Sequence, residues 1–155
     1  MSLWIFLDTG PLGAITNPKK SQEILQIVRW TEKHLRAGNH FMVPAIADYE
    51  LRRELIRAGR ARGLKALNAW NQASEERYLP LTDIALKRAA VLWAQVRNQG
   101  VVTADPKELD GDALIAAQVL EYQEEHLLSF HDVVVATTNV AHLSWFVPAN
   151  LWSKI

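Results

Sequence analysis

The chain has 155 residues, no cysteine, and 17 basic against 17 acidic residues, so its formal net charge is zero. Hydrophobic residues make up 49% of it and charged residues 22%, which is typical of a globular protein and excludes a disordered or fibrous one. The length fits one domain spanning residues 1–155. Without cysteine, neither a disulfide nor a thiolate metal site can form.

Zero net charge argues against a uniformly basic nucleic-acid binder, but the charges are segregated. Residues 17–99 carry 15 basic and 8 acidic side chains, whereas residues 104–132 carry 8 acidic side chains and one basic side chain. We therefore expect a basic surface beside an acidic one. The first residues lack the pattern of a signal peptide, and no run approaches the ~18 apolar residues that span a bilayer. These features predict a cytoplasmic protein without membrane contact.

Strand and helix signals alternate along the first half of the chain. The unbroken apolar run of residues 3–7 is typical of a strand buried on both faces, and a turn-rich segment and a short helix follow it. The next predicted elements are a helix over 21–36, a strand over 41–43, a helix opened by Pro44 with Tyr49 among its buried positions, and a helix that ends near Ser74.

The second half continues the alternation. Its predicted elements are a short strand over 78–81, a helix from Thr82 or Asp83 to Arg97, a turn at Asp105-Pro106, a helix from Gly111 to about Tyr122, a strand over 132–136 and a last short strand over 145–148. Strands joined by helical crossovers predict an α/β fold, a three-layer α/β/α sandwich around a central, mainly parallel sheet.

Polar residues stand where such a sheet binds ligands, beyond the carboxyl ends of its strands. Asp8 follows the first strand and Asn139 follows the strand over 132–136, while Glu50 and Asp112 lie near the starts of helices. Carboxylates that meet at one rim need a compensating cation or proton. Oxygen ligands without cysteine favour Mg²⁺ or Mn²⁺, which suits metal-assisted hydrolysis of a phosphodiester.

Each of these residues also has a simpler interpretation. Asp8 and Asp112 can cap helices, Glu50 can form exposed ion pairs, and Asn139 can occupy a turn. Asp110 competes with Asp112, because two residues apart on a helix they point about 200° apart. We favour Asp112 for the site and assign Asp110 to the helix cap or to a supporting position.

Four segments in order carry a family resemblance: residues 7–12, 43–51, 112–117 and 137–143. Together they resemble the PIN domain, the small Mg²⁺-dependent ribonuclease fold of VapC-type toxins, over residues 3 to about 147. The resemblance implies a PIN-like fold in which the invariant acidic residues of the family correspond to Asp8, Glu50 and Asp112. Asn139 stands where the family often has a fourth acid, which favours a single metal ion.

The resemblance also implies an activity and partners. One Mg²⁺ or Mn²⁺ would lie between the three acids, with Thr9 and Thr138 as supporting hydroxyls. RNA cleavage would leave 5′-phosphate and 3′-hydroxyl ends. The protein would be the toxin of a type II toxin–antitoxin pair, with a small antitoxin partner and a homodimeric state, or a stand-alone relative.

The basic residues after Glu50 are predicted to bind RNA phosphates, and an acidic partner segment suits the same face. They are Arg52, Arg53, Arg57, Arg60 and Arg62. His142 has two possible positions, near the groove of the site or at the surface, and we assign it to the surface. The alternative function is a non-catalytic PIN-like module that binds RNA or protein.

Overall fold

The computed structural model describes residues 1–100 and 106–155. Its strands form one sheet in the order β3-β2-β1-β4-β5, and every neighbouring pair is parallel. The strands are β1 (Trp4–Leu7), β2 (His40–Pro44), β3 (Tyr78–Leu79), β4 (Val133–Ala136) and β5 (Ala149–Asn150). The unbroken apolar run forms the central strand, in which Ile5, Phe6 and Leu7 are fully buried.

Helices cover both faces of the sheet. They are α1 (Thr9–Ile15), α2 (Gln22–Arg36), α3 (Ala45–Arg57), α4 (Ala61–Gln72), α5 (Asp83–Asn98), α6 (Pro106–Glu125) and α7 (Val140–Leu143), followed by a 3₁₀ turn at Trp152–Lys154. On one face Ile5 packs with side chains of α1 to α4, and on the other Phe6 packs with side chains of α6 and α7. The predicted three-layer α/β/α architecture with a mainly parallel sheet is confirmed.

No described helix combines the length and the apolar character needed to cross a bilayer.

Helix α6 starts earlier than predicted. It begins at Pro106 rather than Gly111, so Asp110 lies inside the helix with an exposed side chain and does not cap it. Leu109 explains the extension, because its buried side chain carries the apolar face of the helix one turn further. The predicted turn at Asp105-Pro106 falls partly outside the described residues, since Asp105 is not among them.

The last predicted strand, over 145–148, was wrong. Residues 145–148 instead form a turn after α7 that packs against the sheet, with Val147 buried and Phe146 partly buried. The ladder forms one step later, where the Pro148 carbonyl accepts from Val135 N at 2.9 Å. A second expectation was also wrong, because Tyr49 is 57% exposed on α3.

A buried carboxylate joins α3 to α4. Asp48 is 6% exposed and accepts hydrogen bonds from Arg52 Nε at 2.8 Å, Arg52 Nη2 at 3.1 Å and Asn71 Nδ2 at 2.8 Å. Arg52 also donates to Asn68 Oδ1 at 2.8 Å. The network holds α3, and with it Glu50, against α4. Arg52 therefore supports the fold and is not the free cation that the RNA-binding prediction assumed.

This network predicts a difference between two adjacent arginines. Arg52→Ala leaves the Asp48 carboxylate buried without its cation, and we expect the free energy of unfolding to fall by about 2–4 kcal/mol. Arg53→Ala is the matched control, because its guanidinium lies over the exposed Tyr49 ring at 5.3 Å and its loss should cost less than about 1 kcal/mol. Urea unfolding measures both, and equal losses would contradict the structural role of Arg52.

Candidate active site

The carboxyl ends of two paired strands bring polar residues together. Asp8 directly follows β1, and Thr137 directly follows its parallel neighbour β4. The carboxylate of Asp8 accepts from Thr9 N at 2.7 Å through Oδ1 and from Thr137 Oγ1 at 2.7 Å through Oδ2. Asp8 therefore caps α1, as its simpler interpretation allows, and also bridges the two strands. Each oxygen keeps lone-pair capacity for a further partner.

Glu50 reaches this edge from α3 through a gap at a glycine. A Cβ atom built on Gly111 of α6 would lie only 2.9 Å from Glu50 Oε1. Burial is the main cause that raises the pKa of the Glu50 carboxyl, and the charge of Asp8 raises it further. Thr9 also lies near this carboxylate, but its Oγ1 is buried and makes no hydrogen bond of ordinary geometry within the described residues.

Asp112 is the most perturbed acid of the group. It is 7% exposed, and its Oδ2 accepts from Asn139 Nδ2 at 3.2 Å. Burial, followed by the charges of Asp8, Glu50 and Glu108, raises the pKa of its carboxyl from 3.8 to about 7. Such coupling requires the carboxylates to lie close together in a poorly solvated place.

His142 belongs to this group, although the sequence analysis assigned it to the surface. Its Nδ1 lies 2.9 Å from Asn139 Nδ2 and 3.7 Å from Asp112 Oδ2. With the Asn139 amide as placed, its nitrogen donates to Nδ1, an arrangement that requires the tautomer with the ring proton on Nε2. The available signal was the spacing, because residues three apart on a short helix such as α7 share a face with each other.

The supporting threonine also differs from the expectation. Thr137, fully buried, is the hydroxyl that donates to Asp8 and accepts from Asn139 N at 2.9 Å. Thr138 packs near the start of α1, where both its methyl carbon and its hydroxyl lie 3.7 Å from the place of a Cβ on Gly10.

Of the predicted arginines, Arg53 lies near enough to Glu50 for its charge to lower the pKa of that carboxyl, but the others face elsewhere. Arg57 pairs with Glu54 at 2.9 Å on the exposed side of α3. Arg60 and Arg62 line a separate cleft of about 760 Å³ between α1, α3 and α4, together with Lys19 and apolar side chains.

The acids have the chemistry to bind a hard divalent cation, but as placed they do not form a complete set of ligands. Within residues 1–100 and 106–155, no three His, Asp or Glu side chains stand close enough to ligate one ion as placed. Mg²⁺ seldom needs such a cage, because it keeps several waters and binds one or two carboxylates plus substrate phosphate. The donors are all oxygen, and their mutual repulsion is the kind of charge that a cation relieves.

Comparison with known proteins identifies the fold. No protein-family model matches the chain, and no curated protein sequence matches it. Among solved structures, a chain of FitAcB from Neisseria gonorrhoeae is 19% identical, with a TM-score of 0.64 over 97% of this chain and 99% of that one. A chain of VapBC2 from Rickettsia felis, bound to a DNA fragment from their promoter, is 13% identical with a TM-score of 0.66 over 97% and 99%. A chain of VapBC-1 from nontypeable Haemophilus influenzae is 14% identical with a TM-score of 0.64 over 98% and 100%.

These comparisons correct the family assignment made from the sequence. The identification of the chain as a PIN domain of the VapC-type or stand-alone group was wrong as stated, because no family model matches and the structural neighbours are toxin–antitoxin complexes rather than isolated PIN domains. Identities of 13% to 19% show a shared fold alone.

The raised pKa of Asp112 predicts a pH-dependent stability. The folded protein holds the Asp112 proton to about pH 7, whereas in an unfolded chain the proton is lost near the ordinary value of 3.8. Stability of the metal-free protein therefore falls as the pH rises through this window. At about pH 8, Asp112→Asn should raise the free energy of unfolding by about 1–3 kcal/mol, an effect that should vanish near pH 4.

The matched control is Asp110→Asn. Asp110 lies two residues before Asp112 on the exposed side of α6, where the substitution should change stability little at either pH. Urea titrations in EDTA at both pH values provide the measurement. If Asp112→Asn destabilises the protein at the higher pH, the proposed crowding of carboxylates is not present in solution.

Proposed function

We propose that this chain is a divalent-metal-dependent ribonuclease that hydrolyses phosphodiester bonds and serves as the toxin of a toxin–antitoxin pair. The observation that carries the proposal is the convergence of Asp8, Glu50 and Asp112 at the carboxyl edge of the sheet, where burial and then the charges of Asp8 and Glu50 raise the pKa of Asp112 to about 7. The shared fold with chains of VapBC and FitAcB complexes supports the link to toxin–antitoxin systems.

The residues divide the work according to their contacts. Asp8 and Asp112 would hold Mg²⁺ or Mn²⁺ with help from Glu50, and the ion when bound supplies positive charge to the phosphodiester and activates water. Thr137 and the Thr9 amide fix the Asp8 carboxylate. Burial and the charge of Asp8 make Glu50 Oε1 or Oε2 a stronger base, suited to take the proton of the attacking water.

Asn139 fixes the orientation of the Asp112 carboxylate and limits the negative charge of the proposed metal site. Its amide nitrogen donates to both Asp112 and His142, so it fixes the Asp112 carboxylate without adding a charge. A fourth carboxylate at this position would add negative charge beside an acid whose pKa is already raised. Asn139 therefore suits a centre that holds one ion.

The proposed partners are RNA, a small antitoxin protein and a second copy of this chain. RNA is the substrate, and the exposed cations Arg53, Arg60 and Arg62 are available to its phosphates. A small antitoxin protein is the expected partner. A homodimer is part of the same proposal, and the exposed Ile84 and Val91 of α5 offer an apolar surface for it.

Removal of either central acid tests the proposed catalysis. Asp8→Asn and Asp112→Asn each remove a charge that holds the cation, and we expect each to lower the rate of RNA cleavage at least about 1000-fold while the fold survives. The measurement is cleavage of a permissive single-stranded RNA in Mg²⁺ or Mn²⁺, with the product ends identified as 5′-phosphate and 3′-hydroxyl.

Asp110→Asn serves again as the control and should cleave like the unchanged protein. Retained cleavage by both Asp8→Asn and Asp112→Asn would refute the site. Calorimetric titration with Mn²⁺ adds a readout that does not depend on activity. Absence of binding at millimolar Mn²⁺ would favour the non-catalytic binding module.

The gap at Gly111 predicts an unusual combination of effects. Gly111→Ala places a methyl group 2.9 Å from Glu50 Oε1, so the carboxylate must move aside. Because the displaced atom ends a flexible side chain and alanine favours the helix, stability should hold or rise by up to about 1 kcal/mol. Cleavage should nevertheless fall about 10- to 100-fold, since the base is misplaced.

Gly10→Ala is the matched control for this substitution. It adds a methyl group to another helical glycine near the site, but its nearest neighbour is Thr138 at 3.7 Å, an ordinary contact distance. Thermal unfolding and cleavage rates should be measured for both variants. Unchanged cleavage by Gly111→Ala would exclude a catalytic role for the position of Glu50.

A further inference from the structure

An exposed tryptophan stands one side chain away from the candidate active site. Trp145 is 41% exposed, and its ring lies against the His142 ring with centroids 5.1 Å apart and planes 32° apart. His142 in turn contacts Asn139 and lies 3.7 Å from Asp112 Oδ2. Trp145 is not a lone exposed ring, because the exposed Phe130 lines the same cleft, and contiguous apolar surface of this kind is typical of a binding site.

Trp145 also forms a wall of an open cleft of about 440 Å³ at the β5 side of the sheet. The cleft is lined by Phe130, Phe146, Pro148 and other residues, none of them charged. Phe130 is itself 56% exposed. Two side chains that can form hydrogen bonds, Ser144 and Asn150, lie among these apolar walls.

We propose that Trp145 and this cleft form a stacking subsite for an RNA base outside the cleaved bond. Phe130 precedes β4 and Pro148 precedes β5, so the cleft extends from Trp145 toward the amino ends of these strands, away from the acids. The inference rests on the proposed ribonuclease function and names the part of the substrate that the site would hold. A nucleobase has a flat face that stacks on an indole and polar edges that a hydroxyl or an amide can recognise. Aromatic walls with Ser144 and Asn150 match both of these properties.

The charge of the region favours a base over a phosphate as the occupant. None of the described residues that line the cleft is charged. Asp112 stands two side chains away through His142. A phosphate would therefore find no cation there and would meet the field of the acids, whereas the uncharged base pays no such penalty. Recognition by stacking also predicts a preference for single-stranded RNA, whose bases are exposed.

The test measures binding without cleavage. The probes are a short single-stranded oligoadenylate, the same strand in a duplex, and an abasic ribose-phosphate strand of equal length, each titrated in EDTA. We expect Trp145→Leu to weaken oligoadenylate binding about 5- to 100-fold and Trp145→Phe to retain it within about 3-fold. The unchanged protein should bind the duplex and the abasic strand more weakly than the oligoadenylate.

Tyr78→Leu provides the matched control, because Tyr78 is an aromatic residue of the same exposure, 40%, on the opposite edge strand β3. It should bind like the unchanged protein. Thermal unfolding should show that every variant is folded. Oligoadenylate should quench indole fluorescence in the unchanged protein and less so in Trp145→Phe.

The outcomes separate this inference from the proposed function. Equal affinity of Trp145→Leu and the unchanged protein, or equal affinity for the abasic strand and oligoadenylate, would overturn the stacking subsite even if RNA is cleaved. Binding that depends on Trp145, without any cleavage in Mn²⁺, would sustain the subsite and refute the ribonuclease.

Discussion

The main constraint on this structure is that its fold must hold three mutually repelling carboxylates close together. Asp8 follows β1, Glu50 lies on α3 and Asp112 lies on α6, and burial together with the neighbouring charges raises the pKa of Asp112 to about 7. Such an arrangement costs stability, so rigid elements must impose it. The central strand supplies that rigidity at Asp8, because its three apolar residues before the acid are fully buried. Repulsion that a cation can relieve is the physical basis for binding one.

The groups around the acids control position rather than charge. Thr137 and Asn139 donate hydrogen bonds to Asp8 and Asp112 respectively. Gly111 leaves the space that admits Glu50, and the Asp48–Arg52 network secures the helix that carries it. All these contacts come from uncharged groups or from a charge already paired, so none of them neutralises the acids. The site keeps its negative field while its geometry is fixed, which is what a weakly held, hydrated ion requires.

The sequence predicted those elements that a short-range pattern of residues determines. An unbroken apolar run identified β1, and with it the place of Asp8, because burial on both faces leaves no alternation. Side-chain partners across the fold were not predictable in the same way. The i,i+4 spacing of Asp48 and Arg52 does indicate an ion pair, but it does not show that Asn71 of α4 completes the network and that Asp48 is buried. His142 was misplaced for a similar reason, since its role depends on where α7 docks after β4. The predicted strand over 145–148 failed because a run of apolar residues fits a packed turn as well as a strand.

The zero net charge of the chain conceals an uneven distribution, with the acids at the sheet edge and two arginines in a separate cleft. In the proposed function, an RNA strand at the sheet edge would meet the acids, and Arg52 is already paired with Asp48 and does not offset them. Electrostatic attraction from residues such as Arg60 and Arg62 acts from a different cleft. In the proposed function, Arg53 beside Glu50 is then the nearest cation to the acids, and contacts that carry no charge would add to the affinity for RNA. An exposed tryptophan, joined to Asp112 through His142, would supply an uncharged contact of this kind to the proposed substrate.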